Sequence, residues 1–99
     1  MLQAQIYIDK DEMIGAEILY EFILKMLIKN KIVGATVFQG MFGYRGNKFL
    51  HNPNKLFSFD EVPIMITFID GDEKVKLALT ALRKLVKSGF IVTHVVENW

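Results

Sequence analysis

The chain has 99 residues, 52% hydrophobic and 23% charged, with seven Gly, two Pro and no Cys. A chain near 100 residues buries enough apolar surface to fold without staples, and the lack of Cys excludes disulfide frameworks, thiolate nucleophiles and thiolate metal sites. Twelve basic against eleven acidic groups leave a net charge of +1, which argues against a broadly basic nucleic-acid or membrane-surface binder.

Leu2, Ala4, Ile6 and Ile8 alternate with Gln3, Gln5 and Tyr7, the period-two pattern of a strand with one apolar face. From about Glu12 to Asn30 the pattern predicts a helix, with an acidic opening turn and with Lys29 and Lys31 near its end, as the helix dipole favours. Val33 to Phe42 reads as a second strand, and Gly40 inside it signals a bulge or a close backbone approach. An irregular stretch, Gly43 to Ser58, follows. Val62 to Ile69 reads as a third strand, with Pro63 tolerable at its start. Asp70 and Glu73 have capping-box spacing, and Val75, Ala78, Leu79, Leu82, Leu85 and Val86 then recur at helical intervals up to Gly89, a left-handed cap. Phe90 to Val96 completes a fourth strand. The order βαββαβ predicts an α+β, ferredoxin-like fold: an antiparallel four-stranded sheet with two helices on one face, forming one domain over residues 1–99.

Charges interrupt every apolar run long enough to matter for a membrane: Glu17, Glu21, Lys25 and Lys29 cut the first helix, and Ile64 to Ile69 is too short to span. The first residues lack the basic and apolar regions of a signal peptide. The expectation is a cytoplasmic protein with no direct membrane insertion.

The apolar content exceeds what one sheet and two helices absorb. On a helical wheel, Phe22, Met26, Leu19, Ile23, Leu27, Tyr20 and Leu24 occupy an arc of about 200°, where about 100° suffices to cover a sheet. The third strand is apolar at both parities, with Ile64, Ile66 and Phe68 on one side and Met65 and Ile69 on the other. In this fold the helices cover one sheet face only, so the second face predicts a closed homo-oligomer.

Charge is unevenly spread. Residues 1–21 carry a net of −4, residues 22–59 a net of +6 with no acid, and residues 60–99 a net of −1. Within the basic segment, Gly43-Tyr44-Arg45-Gly46-Asn47-Lys48 joins two cations to glycine-freed backbone donors, a composition suited either to a small anion or simply to an exposed turn. His51 is a further loop candidate, whereas His94 falls in the fourth strand and reads as a sheet residue. Neither histidine has a carboxylate cluster nearby, so no metal site is assigned. The basic patch is too small to argue for nucleic acid. With Ser58 and Ser88 the only serines, no catalytic set emerges.

Two runs carry a family resemblance: Lys31-Ile32-Val33-Gly34-Ala35-Thr36-Val37-Phe38-Gln39-Gly40-Met41-Phe42-Gly43-Tyr44, and, beyond His51, Leu56-Phe57-Ser58-Phe59-Asp60-Glu61-Val62-Pro63. The chain resembles the small PII-like proteins, a domain-of-unknown-function family related to nitrogen-regulatory PII signal proteins. The resemblance implies a homotrimer with sheets facing inward, a ligand cleft between protomers and a mobile loop after the second strand. In PII proteins that cleft holds adenine nucleotides, and the loop docks on a membrane transporter or an enzyme. By position, Gly40, Gly43, Tyr44, Arg45 and Gly46 lie at the loop's base, with Lys48 and His51 further along. Lys87-Ser88-Gly89-Phe90 replaces the basic Gly-Asp-Gly-Lys turn that PII proteins use for phosphates, a departure that argues against ATP bound in the PII manner and leaves an adenine nucleotide and another small anion both open as the expected ligand. The leading expectation is a non-enzymatic regulator acting through residues 43–57. A small oligomeric α+β enzyme using the same interprotomer cleft, and a purely structural oligomerisation module, stay open.

Overall fold

Alternation in the first strand translates directly into burial. In β1 (Leu2–Asp9) every even residue is buried and every odd one half-buried. The computed structural model describes residues 1–45, 48–50 and 62–99, with Arg45 and Lys48–Leu50 described by their backbone only. β1 lies inside a four-stranded sheet whose other members are β4 (Thr36–Gln39), β7 (Pro63–Asp70) and β8 (Phe90–Val95). The spatial order is β4-β7-β1-β8, and every neighbouring pair is antiparallel. Two helices, α1 (Leu19–Lys29) and α2 (Asp72–Leu85), link the strands in the split βαβ manner of a ferredoxin-like α+β fold.

The core forms where one sheet face meets the helices. Ile6, Ile8, Ile64 and Ile66 pack with Leu19, Ile23 and Leu27 of α1 and Val75, Ala78 and Leu82 of α2. The wide apolar arc of α1 divides into a buried stripe (Leu19, Ile23, Leu27) and a half-buried border of Tyr20, Phe22, Leu24 and Met26 against the same core. Ile28 stays exposed.

The start of α1 departs from the expected helix. Met13–Ile14 (β2) and Glu17–Ile18 (β3) pair as a small antiparallel hairpin around Gly15, whose φ of 58° is incompatible with a right-handed helix. Leu19 N–H donates to the Glu12 carbonyl at 2.8 Å, closing the hairpin and setting the first helical residue. The acidic run 9–12 therefore lies before the hairpin. At the other end Asn30 closes the helix as expected, its Nδ2 donating to the Met26 carbonyl at 2.8 Å.

The capping box is also replaced. Gly71, not Asp70, caps α2, with no side-chain cap bond. Asp70 instead accepts hydrogen bonds from Gly71 N–H at 2.7 Å and Val33 N–H at 3.2 Å, and pairs with Lys74 Nζ at 3.1 Å. It thereby ties the segment before β4 to the start of α2. These contacts, the Gly71 amide first and the Val33 amide next, hold the Asp70 carboxyl below its ordinary value of 3.8. A carboxyl lowered in the folded state adds stability that is present above the ordinary value and is lost as pH falls through the folded value. Asp70→Asn is thus expected to melt below wild type at pH 7, with the gap closing under pH 3.8, as read by thermal denaturation at both pH values.

α2 ends at Leu85, before Gly89, because Arg83 donates to the carbonyls of Val86, Ser88 and Gly89 and leads the chain out of the helix. Ser88 Oγ hydrogen-bonds Glu12, linking this turn to the residues preceding β2. Gly89 keeps the left-handed backbone expected of it, at φ 80°, but as the turn into β8 rather than as the helix cap.

Candidate functional site

Strand register sorts the sheet face away from the helices into rows. Phe38, Met65, Tyr7 and Phe90 line up across β4, β7, β1 and β8. The next row is Thr36, Thr67, Gln5 and Val92, and a third holds Ile69, Gln3 and His94. The middle rows are tied by hydrogen bonds: Gln3 Nε2 donates to Thr67 Oγ1 at 3.0 Å, and Thr67 Oγ1 donates to the Ala4 carbonyl at 3.1 Å. Tyr7 OH reaches Gln5 Oε1 at 3.2 Å. The uncovered face is therefore polar at its centre and aromatic at one end, not uniformly apolar as the strand composition suggested.

The aromatic end opens into a cleft of about 590 Å³. Its floor is the first row, where the Tyr7 and Phe90 rings sit tilted with centroids 6.1 Å apart. Its wall is the chain leaving β4, from Gln39 through Gly40 to Phe42, Gly43 and Tyr44, facing Pro63 and Ile64. Gly40 makes this wall possible. Its N–H donates to the Pro63 carbonyl at 2.8 Å, and a Cβ there would come within 2.7 Å of Pro63 Cγ. The close backbone approach expected of this glycine is what the structure has.

Of the residues selected from sequence, Gly40, Gly43 and Tyr44 line the cleft. Beyond it, β5 (Gly43–Arg45) pairs antiparallel with β6 (Lys48–Leu50), and Arg45 lies opposite Lys48. This ordered pairing occupies the start of the stretch read as irregular. Gly46 and His51 fall outside the described residues, as does most of the segment 43–57. His94 sits exposed in β8, a sheet residue as expected. Among the described residues no group of three or more His, Cys, Asp or Glu could hold a metal ion. No described helix is long and apolar enough to cross a membrane.

Tyr7, Phe38, Met65 and Phe90 were missed as site residues. Each shares a strand with residues that form the core or pack against it, and only pairing register reveals that their off-core parity brings them together.

The family profile described as DUF190, Uncharacterized ACR, matches residues 1–98. The chain belongs to the DUF190 family. Relatives of this DUF190 chain include a UPF0166 protein of Aquifex aeolicus (strain VF5), 30% identical over 94% of this chain and 88% of the relative. A UPF0166 protein of Methanocaldococcus jannaschii is 27% identical over 89% of this chain and 81% of its own length. Among solved structures, the nitrogen regulatory PII-like protein CPII from Thiomonas intermedia K12, bound to ADP, AMP and bicarbonate, matches with a TM-score of 0.64 at 19% identity, over 94% of this chain and 86% of that one. CPII bound to ADP and bicarbonate matches with a TM-score of 0.64 at 20% identity, over 94% of this chain and 82% of that one. At such identities the likeness is one of fold, and this DUF190 chain has a PII-like fold.

Proposed function

We propose that the protein is a cytoplasmic, homotrimeric PII-like regulator in which residues 1–99 act as one unit. It binds a small anionic metabolite or nucleotide at protomer interfaces and signals through the segment 43–57 to a membrane transporter or an enzyme. The observation that carries this reading is the position of the cleft: it lies at the open end of the uncovered sheet face and is walled by the chain that leads into that segment. The ADP, AMP and bicarbonate in CPII are of the same ligand class. Tyr7, Phe38, Tyr44 and Phe90 offer ring faces to a planar base. Gly40, Gly43 and Gly46 allow backbone donors to approach, Arg45 and Lys48 supply the charge an anion needs, and His51 adds a ring N–H donor. Binding shifts the population of the protein toward a partner-competent state.

The test is a thermal-shift screen against adenine nucleotides, cyclic dinucleotides and simple anions including bicarbonate, run beside a solution mass. A ligand present at a hundred times its Kd adds about 2.7 kcal/mol of stability, which is a rise of roughly 10–20 °C for a chain this size. Arg45→Ala is expected to weaken the calorimetric affinity of the hit by at least tenfold while leaving the oligomer intact, the loss of about 1.4 kcal/mol that one charge-assisted contact supplies. A flat screen, or binding unchanged in Arg45→Ala, overturns the assignment.

A further inference from the structure

Trp99 is the only tryptophan of the chain, and at 106% relative exposure it is left fully open to water. An indole left in water is out of place on physical grounds, since it carries the largest apolar surface of any side chain. The cleft presents the complementary surface: five aromatic rings and no charged residue in its lining among the described residues. Its own copy cannot join the two. The cleft lies at the Phe90 end of β8, whereas the strand runs away from it, with Val95 paired to Leu2 and Val96 N–H bonded to the Met1 carbonyl. From Val96 back to Phe90 is about 20 Å of strand, and the three residues after Val96 extend at most about 11 Å. Charge points the same way. The segment around Trp99 carries Glu97 and no cation, while the described parts of β5 and β6 beside the cleft carry Arg45 and Lys48 and no acid.

We infer that Trp99 of one copy seats in the aromatic cleft of a second copy, with Glu97 drawn to the Arg45 and Lys48 side of its mouth. Each cleft then includes a residue from a neighbour. This rests on the homo-oligomer reading above but not on its ligand.

Intrinsic fluorescence tests it without a label, because the single indole reports alone. The expected result for the full chain is an oligomeric mass together with a blue-shifted emission and an acrylamide quenching constant several-fold below that of free tryptophanamide, both reverting as dilution lowers the mass. Phe38→Ala and Phe90→Ala alter exposed cleft rings, so they leave the core intact, which circular dichroism checks. At a concentration that restores the wild-type mass, both are expected to shift the emission to the red and raise quenching at least twofold. An oligomer with a water-exposed indole overturns this inference and leaves the homotrimer standing. Shielding unchanged in both variants places the indole elsewhere and overturns it too. A mass of one copy at all concentrations removes both readings.

Discussion

Ile66→Ala is expected to cost about 2–5 kcal/mol of folding stability and to lower Tm by roughly 10–30 °C. Ile66 is fully buried and sits at the centre of β7, opposite Ile6 on one side and Val37 on the other. Its side chain faces the layer where both helices pack, so truncation leaves a cavity that three strands and two helices would have to close together. Ile69→Ala on the same strand is the control. Ile69 lies at the opposite parity and is exposed, so its truncation should stay within about 0.5 kcal/mol in the unassembled chain. Both are measured by denaturant unfolding at one fixed protein concentration, because assembly adds stability by mass action. A reversed order, with Ile69→Ala the costlier of the two, would mean that the β7 register is displaced by one residue, which would exchange the two faces.

The same parity explains how much of the fold was legible before the structure. Two-residue alternation in β1 and the helical spacing of Val75, Ala78 and Leu82 each specify which side chains are buried, and the structure buries them. Chain order then determines the split βαβ topology, since short connections leave few other arrangements. The start of α1 was illegible for a local reason. Acidic residues followed by aliphatic ones look like a helix opening, and the single residue that contradicts it is Gly15, whose left-handed φ turns the chain into a hairpin. Asp70 misled in a similar way. Its spacing to Glu73 fits a capping box, but the Val33 amide, distant in sequence, competes for the same carboxylate. Contacts of that range leave no trace in local pattern.

The candidate cleft was half legible. Gly40, Gly43 and Tyr44 are contiguous, so composition alone singles them out. Phe38, Met65, Tyr7 and Phe90 come from four strands, and the row exists only once the register is known. Tyr7 in particular reads as part of a polar stripe with Gln3 and Gln5, although its ring belongs to the aromatic floor and only its hydroxyl joins Gln5. Composition correctly indicates surplus apolar surface. It does not reveal that a Thr and Gln network separates the aromatic end from the rest of the face.

That aromatic end depends on Gly89, and Gly89→Ala is expected to cost about 2–5 kcal/mol. Two costs combine there. The residue holds φ at 80°, a conformation that costs an L side chain roughly 1–2 kcal/mol. An added Cβ would also lie 2.8 Å from Ile8 Cγ2 and 3.1 Å from the Tyr7 carbonyl oxygen. Ile8 is buried and cannot swing aside, and the Tyr7 carbonyl is backbone of β1, the interior strand that pairs with β8. Gly15→Ala separates the two costs, because Gly15 has a comparable φ of 58° but open space where its Cβ would go. It should lose only the conformational part, about 1–2 kcal/mol. The steric remainder in Gly89→Ala must push β8 away from β1 at the point where Phe90 meets Tyr7, so this variant should also expose the cleft floor and weaken whatever binds there. Denaturant unfolding of both variants reads the two costs. Equal losses would show that Ile8 and the β1 backbone have room to yield, and that the cleft floor does not depend on this turn.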